Sequence, residues 1–153
     1  MHSDLEHWMA LAHKEAEKAF REEEVPIGAV LIAPGGEMLA KDHNRTRQLH
    51  DPTAHAEILV LRKAARVLAN FRLPGTTLLV TIEPCLMCAG AVLQARVERV
   101  VFGAADPKAG ALGTLYDVSN DQRLNHRFEV VAGIRETECR ALLQKFFKVK
   151  RDK

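Results

Sequence analysis

Between Asp51 and Gly103 the hydrophobic period switches from helical to strand-like spacing, and does so twice. Asp51-Pro52-Thr53 is a helix-start signal, with Pro52 suited to the first helical position. Ile58, Leu59, Leu61, Ala65 and Leu68 continue at helical spacing. Pro74-Gly75 then turns the chain into a buried-looking strand, Thr77 to Ile82. Pro84 opens a second helix carrying Ala89, Val92 and Leu93, and Val97 to Gly103 is a second strand. Helix, strand, helix, strand predicts βαβ crossovers, with parallel strands and helices on both faces. The chain reads as an α/β domain in three layers.

The flanks fit this frame. Leu5, Trp8, Met9, Ala12, Ala16, Ala19 and Phe20 predict an amphipathic helix from about 4 to 23. Ile27 to Ala33 and Glu37 to His43 form a hairpin about Pro34-Gly35-Gly36. Phe128 to Ala132 is a last strand, and Cys139, Leu142, Leu143 and Phe146 mark the inner face of a C-terminal helix. Ala104 to His126 has no sustained period. Connections this long are uncommon in a compact domain. It is either a loose surface loop with some helix of its own, or the wall or lid of a site.

At 153 residues the chain has the size of one domain, 1–153, and needs no disulfide staples. Three cysteines cannot all pair, so a disulfide-rich secreted scaffold is excluded and a reducing compartment is favoured. No long apolar run or apolar leader is visible, so no membrane span or secretory signal is expected and the cytoplasm is the default. The net charge is +2, but Arg140 to Lys153 holds six basic residues against Asp152 alone. That basic helix end either complements a C-terminal helix dipole or meets a polyanion; taken alone, the tail favours the first.

Two short pieces carry chemistry: His55-Ala56-Glu57 and Pro84-Cys85-Leu86-Met87-Cys88. Each has a bland reading. A histidine at a helix start can be a cap or a core residue, and Cys-x-x-Cys can be half a structural zinc site or a redox pair. Geometry couples them. A helix from 54 to 68 carries the chain roughly 21 Å away, and the next strand brings it roughly 23 Å back. Cys85 therefore returns to the end of the domain that holds His55, where open α/β sheets place ligands. Cys85 and Cys88, three apart on a helix, can face one point with His55. Two thiolates and an imidazole suit Zn²⁺, and three protein ligands leave a position for an activated water. Cys139 reads as core. Glu57 can pass a proton between such a water and a substrate, or merely complement a helix N-terminus.

His-x-Glu followed by Pro-Cys-x-x-Cys resembles the zinc-dependent cytidine/deoxycytidylate deaminase superfamily. Further stretches are similar to the bacterial TadA-type tRNA-specific adenosine deaminases. They are Val25 to Val30, His43-Asn44-Arg45, Asp51 to Glu57, Glu83 to Gly90, Arg99 to Gly103, Asp106-Pro107-Lys108 with Gly110 and Gly113, and Phe146-Phe147 near a basic end. The resemblance spans nearly the whole chain; the departures lie in the N-terminal helix and in Ser119 to Arg127.

The resemblance implies a cytidine deaminase-like fold with a mixed five-stranded sheet between helices. It implies one Zn²⁺ per subunit held by His55, Cys85 and Cys88, with Glu57 as proton shuttle. On the same resemblance zinc hydroxide would attack C6 of adenine, ammonia would leave and inosine would form. The substrate would be the wobble adenosine of a tRNA anticodon stem-loop, such as that of an arginine tRNA, and the enzyme would be a homodimer. Asn44 would hydrogen-bond the flipped nucleoside and Val25 would help form an apolar wall. Phe146 or Phe147 can stack on a base, with at least one of the pair expected in the core. Asp106 either contacts RNA or starts a turn. The runner-up is a deaminase of a free base or nucleoside (cytosine or guanine), which has no need of a basic tail. A zinc-stabilised RNA-binding module without activity has no need of Glu57.

Overall fold

The structure, a computed structural model, describes residues 2–152, with side chains from Asp4 onward. Met1 and Lys153, the last cation of the basic tail, lie outside the described residues. The elements run α1 (His2–Arg21), β1 (Gly28–Ile32), β2 (Met38–His43), α2 (Ala56–Leu68), β3 (Thr77–Ile82), α3 (Leu86–Ala95), β4 (Arg99–Ala104), β5 (Glu129–Ala132) and α4 (Glu136–Arg151).

The strands form one mixed five-stranded sheet in the order β2-β1-β3-β4-β5. β1 is antiparallel to β2 and β3, whereas β3, β4 and β5 are parallel. The parallel β3–β4 pair joined through α3 is the crossover that the alternating periods predict. The three inner strands are buried almost end to end, as strands covered on both faces must be. The edge strand β5 has no fully buried residue.

Period-two alternation sorts the inner strands into two cores. Ala29, Leu31, Leu78, Val80, Val100 and Phe102 face α2 and α3 with Val60, Leu61, Ala64, Val92 and Leu93. Val30, Ile32, Leu79 and Val101, joined by Ile82 where the alternation breaks at the end of β3, face α1 and α4 with Leu5, Met9, Ala12, Ile134 and Cys139. The result is a three-layer α/β/α arrangement with the mixed five-stranded sheet that the resemblance implies. Small residues set how closely α1 lies on the sheet. A Cβ at Gly28 would collide with the Ala12 carbonyl and come within 2.6 Å of Ala16 N.

Four local expectations need correction. The Asp51-Pro52-Thr53 signal is real, but it makes a turn and not a helix start. Asp51 Oδ1 accepts the Thr53 N–H at 2.8 Å and the Thr53 hydroxyl at 2.7 Å, and α2 begins at Ala56. Pro84 likewise precedes α3, whose N-cap is Cys85. The 105–128 connection contains no helix; it holds turns and one isolated bridge, Leu112 to Asp117. The predicted strand Val97 to Gly103 is displaced by a residue or two, to Arg99–Ala104.

α4 turns Cys139 and Phe146 inward as its spacing requires. Lys148, Lys150 and Arg151 fill its last turn, where the helix dipole favours cations. No helix among the described residues is long and apolar enough to cross a membrane.

Candidate active site

α2 and α3 start side by side, and their N-caps are His55 and Cys85. Both have extended backbone (φ −74°, ψ 153° and φ −77°, ψ 176°), and neither side chain caps its own helix. The side chains are thus left for another partner. His55 Nδ1 lies 3.6 Å from Cys85 Sγ and 3.5 Å from Cys88 Sγ. These three donors can hold one metal ion. With bonds of about 2.05 Å to nitrogen and about 2.3 Å to sulfur, the N···S edge of a tetrahedral site is about 3.6 Å. The spacing fits that coordination.

Charge within the triad is shared unevenly. The hydrogen bond with the Cys88 thiol, ahead of that with His55, holds Cys85 down to about 3. The same contact with Cys85, reinforced by burial, pushes Cys88 upward. The hydrogen bond with Cys85 also raises the His55 imidazole, against its desolvation. Two helix N-termini add partial positive charge beside the sulfurs, which favours thiolate character.

Glu57 stands in the first turn of α2 and is 3% exposed. Burial pushes its carboxyl up to about 7. Among the described residues, Glu57 Oε1 has no hydrogen-bond partner. A buried carboxylate oxygen left without one is costly. Here it stands two residues from His55, one of three donors that can hold a metal ion, which suits a group that exchanges a proton with a bound reactant.

The other predicted residues lie beside the hairpin, on the 105–128 connection and on α4. Asn44 is buried at the end of the hairpin, and its Oδ1 accepts the Ala56 N–H at 2.8 Å. The Asn44 backbone N–H donates to Ile27 O at 3.1 Å, and the half-buried Val25, whose carbonyl accepts the Ile27 N–H, stands two residues before it. Asp106 Oδ1 accepts the N–H groups of Lys108 (2.9 Å) and Ala109 (3.2 Å), which is the turn-starting role. On α4, Phe146 is buried against Phe20 with ring centres 5.9 Å apart, whereas Phe147 is 44% exposed. No described contact links Phe147 to the His55 cluster.

A second group with metal-ligand chemistry is Glu15, Asp42 and His43. Each of its members already has partners within the chain. His43 Nδ1 meets Glu15 at 3.0 Å and Nε2 meets Glu22 at 2.9 Å, while Lys63 and Arg45 reach Asp42 at 2.8 and 2.7 Å. The network ties α1 to β2 immediately before Asn44.

Glu83 had no role in the sequence reading. It is 3% exposed, and its carboxylate gathers backbone N–H groups from the 105–128 connection. The signal was an acidic residue at the end of an apolar strand run, between Ile82 and Pro84. Such a residue is buried only if several donors meet it.

A MafB19-like deaminase family profile matches residues 3–151. A tRNA-specific adenosine deaminase from Bacillus subtilis (strain 168) is 51% identical over 146 residues, spanning 95% of this chain and 90% of that protein. A solved structure from work on A-to-I editing by tRNA:A34 deaminases at the wobble position of transfer RNA superposes with a TM-score of 0.86. It is 46% identical and covers 89% of this chain and 98% of its own. A solved guanine deaminase from Nitrosomonas europaea shares 25% identity at a TM-score of 0.77, covering 92% of this chain and 83% of its own. The chain belongs to the MafB19-like deaminases and to the tRNA-specific adenosine deaminase family.

Proposed function

We propose that this protein hydrolytically deaminates the wobble adenosine of a tRNA anticodon loop to inosine. The observation that carries the reading is the His55–Cys85–Cys88 triangle beside the buried, unpartnered Glu57 oxygen. Adenosine and water give inosine and ammonia. His55 Nδ1 and the sulfurs of Cys85 and Cys88 would hold one Zn²⁺. When bound, zinc supplies a Lewis acid that makes water a competent nucleophile near neutral pH.

The chain's own groups do the rest. Glu57 takes one proton from the attacking water and gives it to N1 of the purine, then passes the second, from the hydroxyl formed at C6, to the amino group, which leaves as ammonia while C6 becomes a carbonyl. Its burial keeps bulk water from competing for that proton. Asn44, whose Oδ1 is committed to Ala56, offers its side-chain NH₂ to the nucleoside. Val25 supplies apolar surface beside it. An anticodon loop is single-stranded, so extruding its base costs less than opening a duplex. Phe147 and the cations of α4 suit stacking and phosphate contact, and Asp106 a loop contact to RNA. The reading includes a homodimer, an arginine tRNA as substrate, action in the cytoplasm, and one deaminase domain across 1–153.

The test is inosine formation by zinc-loaded protein on an arginine-tRNA anticodon stem-loop. Wild type and Glu57→Ala run side by side, with free adenosine, cytosine and guanine as controls. Inosine at the wobble position from wild type alone is expected. Ammonia from a free base with no inosine overturns the substrate and favours the runner-up. Turnover retained in Glu57→Ala overturns the shuttle. Cys85→Ser is expected to lower zinc content, and full occupancy there overturns the ligand set.

A further inference from the structure

We propose that Glu83 is a positioning residue that fixes the 106–114 loop and, through it, the enzyme's hold on RNA; this rests on the deaminase reading above. Glu83 Oε1 accepts the Asp106 N–H at 3.0 Å and the Thr114 hydroxyl, and Oε2 accepts the N–H groups of Leu112 at 2.9 Å and Thr114 at 3.2 Å. Four donors saturate the carboxylate, so it has no capacity left for substrate. Its neighbours reinforce the mooring. The Glu83 N–H donates to Ala104 O, and Pro84 O accepts the Ala111 N–H, both at 2.9 Å. The two residues directly before Cys85 therefore hold the loop against the metal-binding centre.

The loop is shaped around this carboxylate. A Cβ at Gly110 would strike the Glu83 carboxyl group, so the backbone passes where only glycine fits. Ala111 and Leu112 are buried beneath, while Lys108 and Tyr116 are exposed, Tyr116 at 56%. Lys108 stands on the loop and Tyr116 just beyond it, its carbonyl accepting the Gly113 N–H at 2.8 Å, and a cation and an aromatic ring there suit the phosphates and bases of a single strand. The segment has no helix to hold its shape, and the buried carboxylate takes that part.

Glu83→Gln isolates the effect. Both donors at Oε2 are backbone N–H groups, which forces the amide nitrogen to the Oε1 position, facing the Asp106 N–H. Thr114→Val approaches the same carboxylate from the loop and removes only the hydroxyl donor. Zinc-loaded full-length proteins are compared by steady-state kinetics on the anticodon stem-loop, metal content, and amide hydrogen exchange over 106–114.

For Glu83→Gln, KM is expected to rise about tenfold with kcat within about twofold, the scale of one charge-assisted hydrogen bond lost from the docking surface. Thr114→Val raises KM by about threefold, and the double variant falls short of the product of the two. Metal content holds, and exchange over the loop quickens. Unchanged KM and exchange in both variants overturns the proposal, as does a fall in kcat at constant KM or a loss of metal. If Glu83→Gln does not fold, Thr114→Val decides alone by the same readings. Hydrogen exchange needs no turnover, so it separates the two failures: quickened exchange with no inosine from wild type overturns the deaminase reading and the RNA part with it, and keeps the mooring.

Discussion

Asn44 Oδ1 accepts the backbone N–H of Ala56 at 2.8 Å, so the end of β2 holds the first residue of the helix that carries Glu57. His55, the N-cap, uses its imidazole elsewhere, and Asn44 supplies the cap from another strand. Asn44→Ala is expected to lose about 1–2 kcal/mol in urea denaturation, the usual cost of a lost helix cap. Asn44→Asp keeps an acceptor and adds a charge that the helix N-terminus favours, and should stay within about 0.5 kcal/mol of wild type. Both should lose inosine formation, because neither offers the NH₂ donor. A fully active Asn44→Asp enzyme would show that the side chain serves only the helix.

The layers were legible because β1, β3 and β4 are covered on both faces and read as apolar runs between helices. The convergence of His55 with Cys85 was legible as well, since a helix and a strand of matched length return the chain to its start. The start of α2 was not. Pro52 and Asp51 offer the same chemistry to a turn as to a helix, and the choice fell to Asn44, twelve residues before Ala56. Glu83 was illegible for a like reason: its four donors lie 23 to 31 residues further along the chain.

The Asp42 carboxylate should give the fold an acid limit. Burial is the largest single influence on it and opposes ionisation. Hydrogen bonds from Lys63, the His43 N–H and Arg45 together outweigh that, so its pKa falls below the ordinary 3.8. Glu15 is lowered from 4.5 in the same way, with Lys18 and His43 outweighing burial. A carboxylate depressed in the folded state contributes stability that is complete above its unfolded pKa and is lost as pH falls through the folded one. Stability should therefore fall with acid below about pH 4.5, and more steeply in wild type than in Asp42→Asn. Parallel slopes in urea midpoints between about pH 5 and about pH 3 would remove Asp42 from this account.

Gly28 should be among the least replaceable residues outside the site. A Cβ there lies within 2.8 Å of Glu15 Cβ as well as 2.6 Å of Ala16 N, so α1 must move off β1 to admit it. α1 also carries Glu15, whose carboxylate holds His43 next to Asn44. Gly28→Ala is expected to cost at least the upper part of the usual range for overpacking, about 3 kcal/mol. Thermal denaturation measures it. Gly36→Ala is the control: no atom lies within 4 Å of its Cβ, and only its φ of 97° opposes the change.

Ala69 offers the opposite outcome. α2 ends there in the left-handed region (φ 51°, ψ 43°), with its N–H bonded back to Ala65 O and Arg66 O. Glycine is the residue that such a helix end prefers, because a Cβ crowds the backbone in this conformation. The position is exposed, so removing the methyl group leaves no cavity. Ala69→Gly is expected to stabilise the fold by about 0.5–1 kcal/mol, net of the greater freedom glycine gains in the unfolded chain. Ala69→Val should destabilise it, since branching at Cβ worsens the same contact. Neither substitution touches the cluster at the other end of α2, so kcat and metal content should match wild type. Urea denaturation of the three proteins gives the ranking Gly, Ala, Val, and the reverse order would mean that the helix does not end in this conformation.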